Sequence, residues 1–373
     1  LVGFGFAAFF VFGVALVLIG ANQEALRNDL GLDLTRSGLL VSGLALGIGV
    51  GVVASGPLVD RLPRRPLFLA SALLAAVPLL GVDARMGFGC VFVLVALLGL
   101  GFGAQETLIN ASITESFGAA AGRPLVLAHA AVTLGAMLAP LWIGWLAEWT
   151  SWTASFRATG VAQLALMVVA LGVRFPAPRH AASSGHAPLR AALSLALLPF
   201  LVASFAYVGI ETTLTILAVP YASVALGLDD ARGLAAISAF WLGLLAGRLA
   251  VVLLRRPLDA RLLLGAGLAG ALVLGGGVGA ASRQVELVFA VTGLSMGLVF
   301  PVMIALTAER FPQARGTATG LVAGAGALGG FAVPWLHGAI GDREGAAVAL
   351  AALAPWAMGI ALAAWLVRRG ERR

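Results

Sequence analysis

From Leu1 to Ala21 the chain carries no charged side chain and none that can hydrogen-bond, and Leu39–Ser55 is nearly as apolar. Runs of this kind leave few folds open. In lipid every backbone polar group must be satisfied within the structure, which leaves helices or closed barrels. Barrel strands alternate polar and apolar residues over about 10 positions, and these runs do not alternate. They read as helices, and a spanning helix needs about 20 mostly apolar residues. The composition extends the argument to the whole chain. Of 373 residues, 60% are apolar and 11% charged, whereas soluble domains carry roughly 25% charged residues. One soluble core cannot absorb that much apolar surface. The expected fold class is an all-α membrane protein with twelve transmembrane helices in two pseudo-symmetric six-helix bundles.

The spans are placed near 2–23, 37–59, 66–84, 87–115, 124–147, 154–174, 192–220, 232–254, 260–281, 285–310, 316–340 and 345–367. No cleavage-site pattern follows the first, so it reads as a span and not a signal peptide. The polar, breaker-rich stretch after span six marks a linker over 175–191, between an N-terminal bundle over 1–174 and a C-terminal bundle over 192–373. The halves repeat. An offset of 194 residues sets Glu115 on Glu309, Phe117 on Phe311, Pro140 on Pro334, Gly144 on Gly338 and Glu148 on Asp342. A six-helix internal repeat is a transporter architecture, with the binding site expected at the interface of the halves.

A net charge of +7 raises nucleic acid as a partner, but the placement of the bases argues against it. All are arginine. They gather in alternate loops and in the C-terminal tail, among them Arg61, Arg64, Arg65, Arg174, Arg255, Arg256, Arg310, Arg368 and Arg369. The positive-inside rule then puts both termini in the cytoplasm. The absence of lysine and abundance of alanine, glycine and arginine suggest a GC-rich bacterium and its inner membrane. Lone Cys90 excludes an intrachain disulfide, and no Cys/His spacing suggests a metal site. No cofactor is expected. The partners expected are the bilayer, a small-molecule substrate and protons, with the chain acting as a monomer.

Between spans two and three lies Gly56-Pro-Leu-Val-Asp60-Arg61-Leu-Pro-Arg64-Arg65-Pro66. So many charges must sit in water or at the headgroups, so the run reads as a short loop. It resembles the signature loop of major facilitator superfamily transporters, Gly-x-Leu-x-Asp-Arg-x-Gly-Arg-Arg, with Pro63 in place of the glycine. That resemblance implies the major facilitator fold. Physically, Asp60 can pair with the nearby arginines and face a helix N-terminus, a latch that gates the cycle. Gly56, Asp60, Arg61, Arg64 and Arg65 are the gating candidates, with Arg248 near the end of span eight as a counterpart. A plain positive-inside loop is the alternative for the arginines.

Two carboxylates sit deep in apolar spans. Glu106 lies in span four within Gly99-Leu-Gly101-Phe-Gly103-Ala-Gln105-Glu106-Thr107-Leu-Ile-Asn110. Glu211 lies in span seven within Tyr207-Val-Gly209-Ile-Glu211-Thr212-Thr213-Leu-Thr215. An acid at a helix centre costs at least ~2.5 kcal/mol on insertion scales, so it faces a partner or a watery cavity. Helical spacing adds Asn110 to Glu106, and Tyr207 and Thr215 to Glu211, as polar stripes suited to binding hydroxyls and moving a proton. Interhelical glue is the structural alternative. Both stretches, with Gly247-Arg248 and Phe300-Pro301, resemble the fucose–galactose–gluconate proton-symporter branch, to which the fucose permeases belong. In those permeases a span-four glutamate takes part in proton coupling and sugar binding, which implies that role for Glu106. They also carry a span-one acid, where this chain offers Asn22, Gln23 and Glu24 near the end of the span.

Lesser candidates complete the set. Asn22 and Gln23 line a cavity or sit at the interface. His129, with Thr133 one turn on, relays a proton or packs. Trp241 can stack on a sugar face. No clustered nucleophile, base or metal set points to an enzyme. The reading is a secondary transporter of a small polar molecule, a proton-coupled sugar importer working by alternating access. A proton-driven exporter of drugs or metabolites and a transport-dead membrane sensor are the alternatives.

Overall fold

The computed structural model describes the whole chain except residues 119–121, 178–193, 254–258, 279–283, 313 and 372–373. Twelve helices are long and apolar enough to cross a membrane, and no strand occurs among the described residues. They are α1 (Val2–Ala21), α2 (Leu34–Arg61), α3 (Arg64–Gly81), α4 (Phe88–Phe117), α5 (Leu127–Ala147) and α6 (Thr153–Gly172). The second set is α7 (Leu195–Ala225), α8 (Asp230–Ala250), α9 (Ala260–Gly277), α10 (Val285–Arg310), α11 (Thr317–Glu344) and α12 (Ala346–Arg369). Each of the twelve expected spans has its helix.

The chain divides into two compact units, Leu1–Ala182 and Ser183–Arg373. Most of the stretch expected as a linker, 175–191, lies outside the described residues, as do Arg255 and Arg256.

Glycine spacing decides how the helices meet inside each unit. A methyl group on Gly47 or Gly51 of α2 would fall on the carbonyl of Ala96 or Leu100 of α4. One on Gly99 or Gly103 of α4 would fall on that of Leu44 or Ile48 of α2. Small residues let the two backbones touch, as membrane helices do when no hydrophobic force draws them together. The second unit repeats the device between α8 and α10. There Gly243 and Gly247 meet Ala290 and Leu294, and Gly293 and Gly297 meet Phe240 and Leu244. The internal repeat is therefore a repeat of contacts as well as of letters.

Two local expectations are corrected. The run from Gly56 to Pro66 is mostly helix: α2 continues through Arg61, α3 starts at Arg64, and Leu62–Pro63 alone connect them. A proline is tolerated in the first turns of a helix, where no intrahelical partner waits for its missing N–H, so Pro66 does not stop α3. At the other end, α1 stops at Ala21 instead of running to 23. A short separate helix, Gln23–Leu30, follows and ends at Gly31 with φ 60°, a left-handed cap.

Candidate functional site

In the first unit, Glu106 is half-buried on α4, and among the described residues its carboxylate makes no hydrogen bond and no ion pair. Its neighbour Thr107 spends its hydroxyl on the main chain, donating to Gly103 O at 3.2 Å. Asn110, one turn on, is half-buried with its Oδ1 unpartnered among the described residues. Gln105 is buried with neither end of its amide hydrogen-bonded, and the same holds for Gln163 on α6. A buried amide left without partners carries a desolvation cost, so α4 presents unspent polar capacity on both sides of its acid. The sequence names Gln105 only as part of the span-four run around Glu106, and Gln163 not at all. Their signal was an amide in the middle of an apolar span, the same logic that picked out Glu106.

Asn22 is tied into structure: its Nδ2 donates to Leu18 O at 2.8 Å and to Ser155 Oγ of α6 at 3.0 Å. Gln23 is buried with an unpartnered Nε2. His129 is half-buried with its ring 5.1 Å from that of Phe9, and Thr133 donates to the His129 carbonyl at 3.3 Å. The hydroxyl expected to accompany the imidazole is thus held by the backbone.

The charged turn between α2 and α3 is wired differently from the expectation. Arg64 is buried, and its Nη2 donates to Glu115 Oε1 at the far end of α4. Arg65 donates to Val173 O at 3.0 Å. Asp60 and Arg61 are exposed, and Asp60 has no ion-pair partner among the described residues. Gly56 is half-buried with open space where a Cβ would stand. The reason is reach. Asp60 sits at the exposed end of α2, whereas Glu115 closes the end of α4 against which the first turn of α3 packs. Glu115 had entered the sequence reading only as a marker of the repeat.

In the second unit, Glu211 of α7 is half-buried and anything but alone. Tyr207, one turn earlier and buried, donates its hydroxyl to Glu211 Oε2. Arg248 of α8 donates from Nη2 to the same Tyr207 oxygen at 3.2 Å. Phe300 of α10 lies against the Tyr207 ring, centroids 5.9 Å apart. A guanidinium, a phenol and a carboxylate thus form one chain across α7 and α8, and Arg248 joins the binding candidates. Thr215 donates to the Glu211 carbonyl at 3.1 Å, so its proton is already committed. Trp241 is buried on α8, seven residues and two helical turns before Arg248, with its Nε1 unpartnered among the described residues. No group of three or more metal-ligating side chains occurs among the described residues.

Residues 4–334 match the family model of the Major Facilitator Superfamily. The chain belongs to that superfamily. It is therefore a multi-pass membrane transporter of the major facilitator fold, in a family of transporters and not of enzymes. An uncharacterized MFS-type transporter of Bacillus subtilis strain 168, YfkL, is 26% identical over 354 residues, covering 91% of this chain and 88% of that protein. Among solved structures, a D-xylose-proton symporter superimposes with a TM-score of 0.80 at 16% identity, over 98% of this chain and 96% of the other. The Escherichia coli fucose:proton symporter FucP gives a TM-score of 0.68 at 17% identity, over 98% of both chains. The nucleoside transporter NupG gives 0.79 at 13%, again over 98% of both. At such identities these neighbours establish the major facilitator fold alone.

Proposed function

We propose that this major facilitator protein is a proton-coupled importer of a small polar molecule, a sugar in the first instance, working by alternating access in a bacterial cytoplasmic membrane with both termini in the cytoplasm. Glu106 is the proton carrier, and it is the observation that carries the reading. It is an acid in the middle of an apolar helix with no counter-charge or hydrogen bond among the described residues. An isolated intramembrane carboxyl of this kind is stable when neutral, and its ionised form calls for water or a ligand. Loading and unloading a proton there is coupled to the environment the side chain faces. Asn110 and Gln105 beside it supply amides for hydroxyl groups. Tyr207, Glu211 and Arg248 hold the second polar surface, with Trp241 offering an aromatic face and an indole N–H unpartnered among the described residues. Two of the structural neighbours are by their names sugar–proton symporters, which agrees with this assignment.

The test is uptake of a labelled sugar panel into proteoliposomes with and without an inward proton gradient. Accumulation above equilibrium that depends on the gradient, and is lost in Glu106→Gln, is the expected result. Intact protein that moves no sugar under either condition sinks the sugar assignment and sends the search to the exporter reading, with cationic drugs as cargo.

A further inference from the structure

On the second unit, the start of α7 and the last turns of α12 diverge around a cleft of about 400 Å³. Its walls are hydrocarbon, among them Leu198, Val202, Leu362 and Leu366, all exposed. Apolar walls need no explanation on a membrane protein. Two other features do. One is Arg310, the last residue of α10, which lines the cleft as its single charged side chain. Among the described residues its guanidinium has no ion pair and no hydrogen bond, and its chain neighbour Glu309 does not pair with it. The other is Gly359, which lines the cleft from the middle of α12.

Many helical glycines stand where another backbone touches them, as Gly267 does against Ala357 and Ala361, and a few such as Gly265 and Gly320 face open space. At Gly359 an added Cβ would meet nothing within 4 Å. Glycine weakens a helix relative to alanine, and here no packed neighbour demands it. What its missing side chain does is deepen the cleft.

Beside the cleft α12 also carries a marker of membrane level: Trp365, next in sequence to Leu366 of the wall, has the guanidinium of Arg369 5.3 Å from its ring centroid. An aromatic ring under a cationic group marks the boundary between hydrocarbon and headgroups. Arg310 likewise closes its span, as the last residue of a helix long and apolar enough to cross a membrane, and span ends are where lipid phosphates lie.

We propose that this groove is a binding site for an anionic phospholipid, with one acyl chain along α7 and α12 and the phosphate on Arg310. Guanidinium suits a phosphate because its parallel N–H groups match two of the oxygens. The positive field of Arg368 and Arg369 disfavours a headgroup with its own cation, which selects anionic over zwitterionic lipid. This inference stands apart from the transport reading and does not depend on the cargo.

The experiment titrates purified protein with phosphatidylglycerol or phosphatidylcholine, reading bound lipid by mass spectrometry of the intact complex and stability by thermal unfolding. Phosphatidylglycerol should remain bound and raise the unfolding temperature more than phosphatidylcholine does. Arg310→Gln should weaken phosphatidylglycerol about fivefold, the loss of one surface charge near a lipid of that sign. Gly359→Leu, which grows from a lining position where an added Cβ meets nothing within 4 Å, should displace both lipids. Equal retention of the two lipids by the wild type overturns the proposal. So does unchanged phosphatidylglycerol binding in Gly359→Leu, which would leave only diffuse attraction to basic residues. Stabilisation by inorganic phosphate alone, matching that of the lipid, overturns it as well.

Discussion

The two intramembrane acids look alike in sequence and in burial and differ in their partners. Each sits in an apolar span with a glycine within a turn before it and a hydrogen-bonding residue one turn away. Glu106 has no charged partner among the described residues, whereas Glu211 is held by Tyr207, which in turn is held by Arg248. An acid without a counter-charge is free to gain and lose a proton as its surroundings change. An acid inside a charged chain is anchored, and disturbing it disturbs two helices. On the function proposed above, one fold uses the same residue type for a moving charge in one half and a fixed one in the other.

The largest effect expected from breaking this contrast is at Glu106. Glu106→Gln should abolish gradient-driven accumulation, at least tenfold in initial rate, while leaving the thermal unfolding temperature within a degree or two. Retained accumulation in Glu106→Gln would move the proton elsewhere. Arg248→Gln should do the reverse. It leaves Glu211 and Tyr207 without their cation, and losing one partner of a buried charged set costs about 3 kcal/mol, seen as a marked fall in unfolding temperature and in yield of folded protein. Adding Glu211→Gln to Arg248→Gln should restore part of that loss, because the orphaned acid is then gone. A double variant no more stable than the single one would mean the chain is not energetically coupled. Tyr207→Phe removes the bridging hydroxyl and should cost about 1–2 kcal/mol, with a higher substrate concentration needed for half-maximal uptake. Thr215→Val is the smallest change. Its hydroxyl serves the main chain, so about 0.5 kcal/mol or less is expected, and uptake close to wild type would confirm that Thr215 does not touch cargo.

The same contrast shows how far the letters could be read. Glu106 and Glu211 were both visible because an acid in an apolar span is costly wherever it points. Tyr207 and Thr215 followed from helical spacing within α7. Spacing could not separate them: one hydroxyl turned to the carboxylate and the other to a carbonyl on the same turn. Arg248 was visible as a charge near a helix end, yet its partner lies 41 residues away on another helix. Asn22 was open in sequence between a cavity and the interface, and its partner Ser155 lies 133 residues on, out of reach of any spacing rule.

What the sequence determined by itself is the membrane, the twelve helices and the repeat. These depend on local quantities: the length of each apolar run, the loops between runs, and glycines at intervals that survive the offset from one half to the other. Tertiary structure decided which charges meet. Arg64 could have taken Asp60, four residues back, but pairs with Glu115 at 51 residues' distance, because α3 packs along α4 and buries the guanidinium there. A long side chain reaches several candidates in sequence, and the packing of helices leaves it one in space.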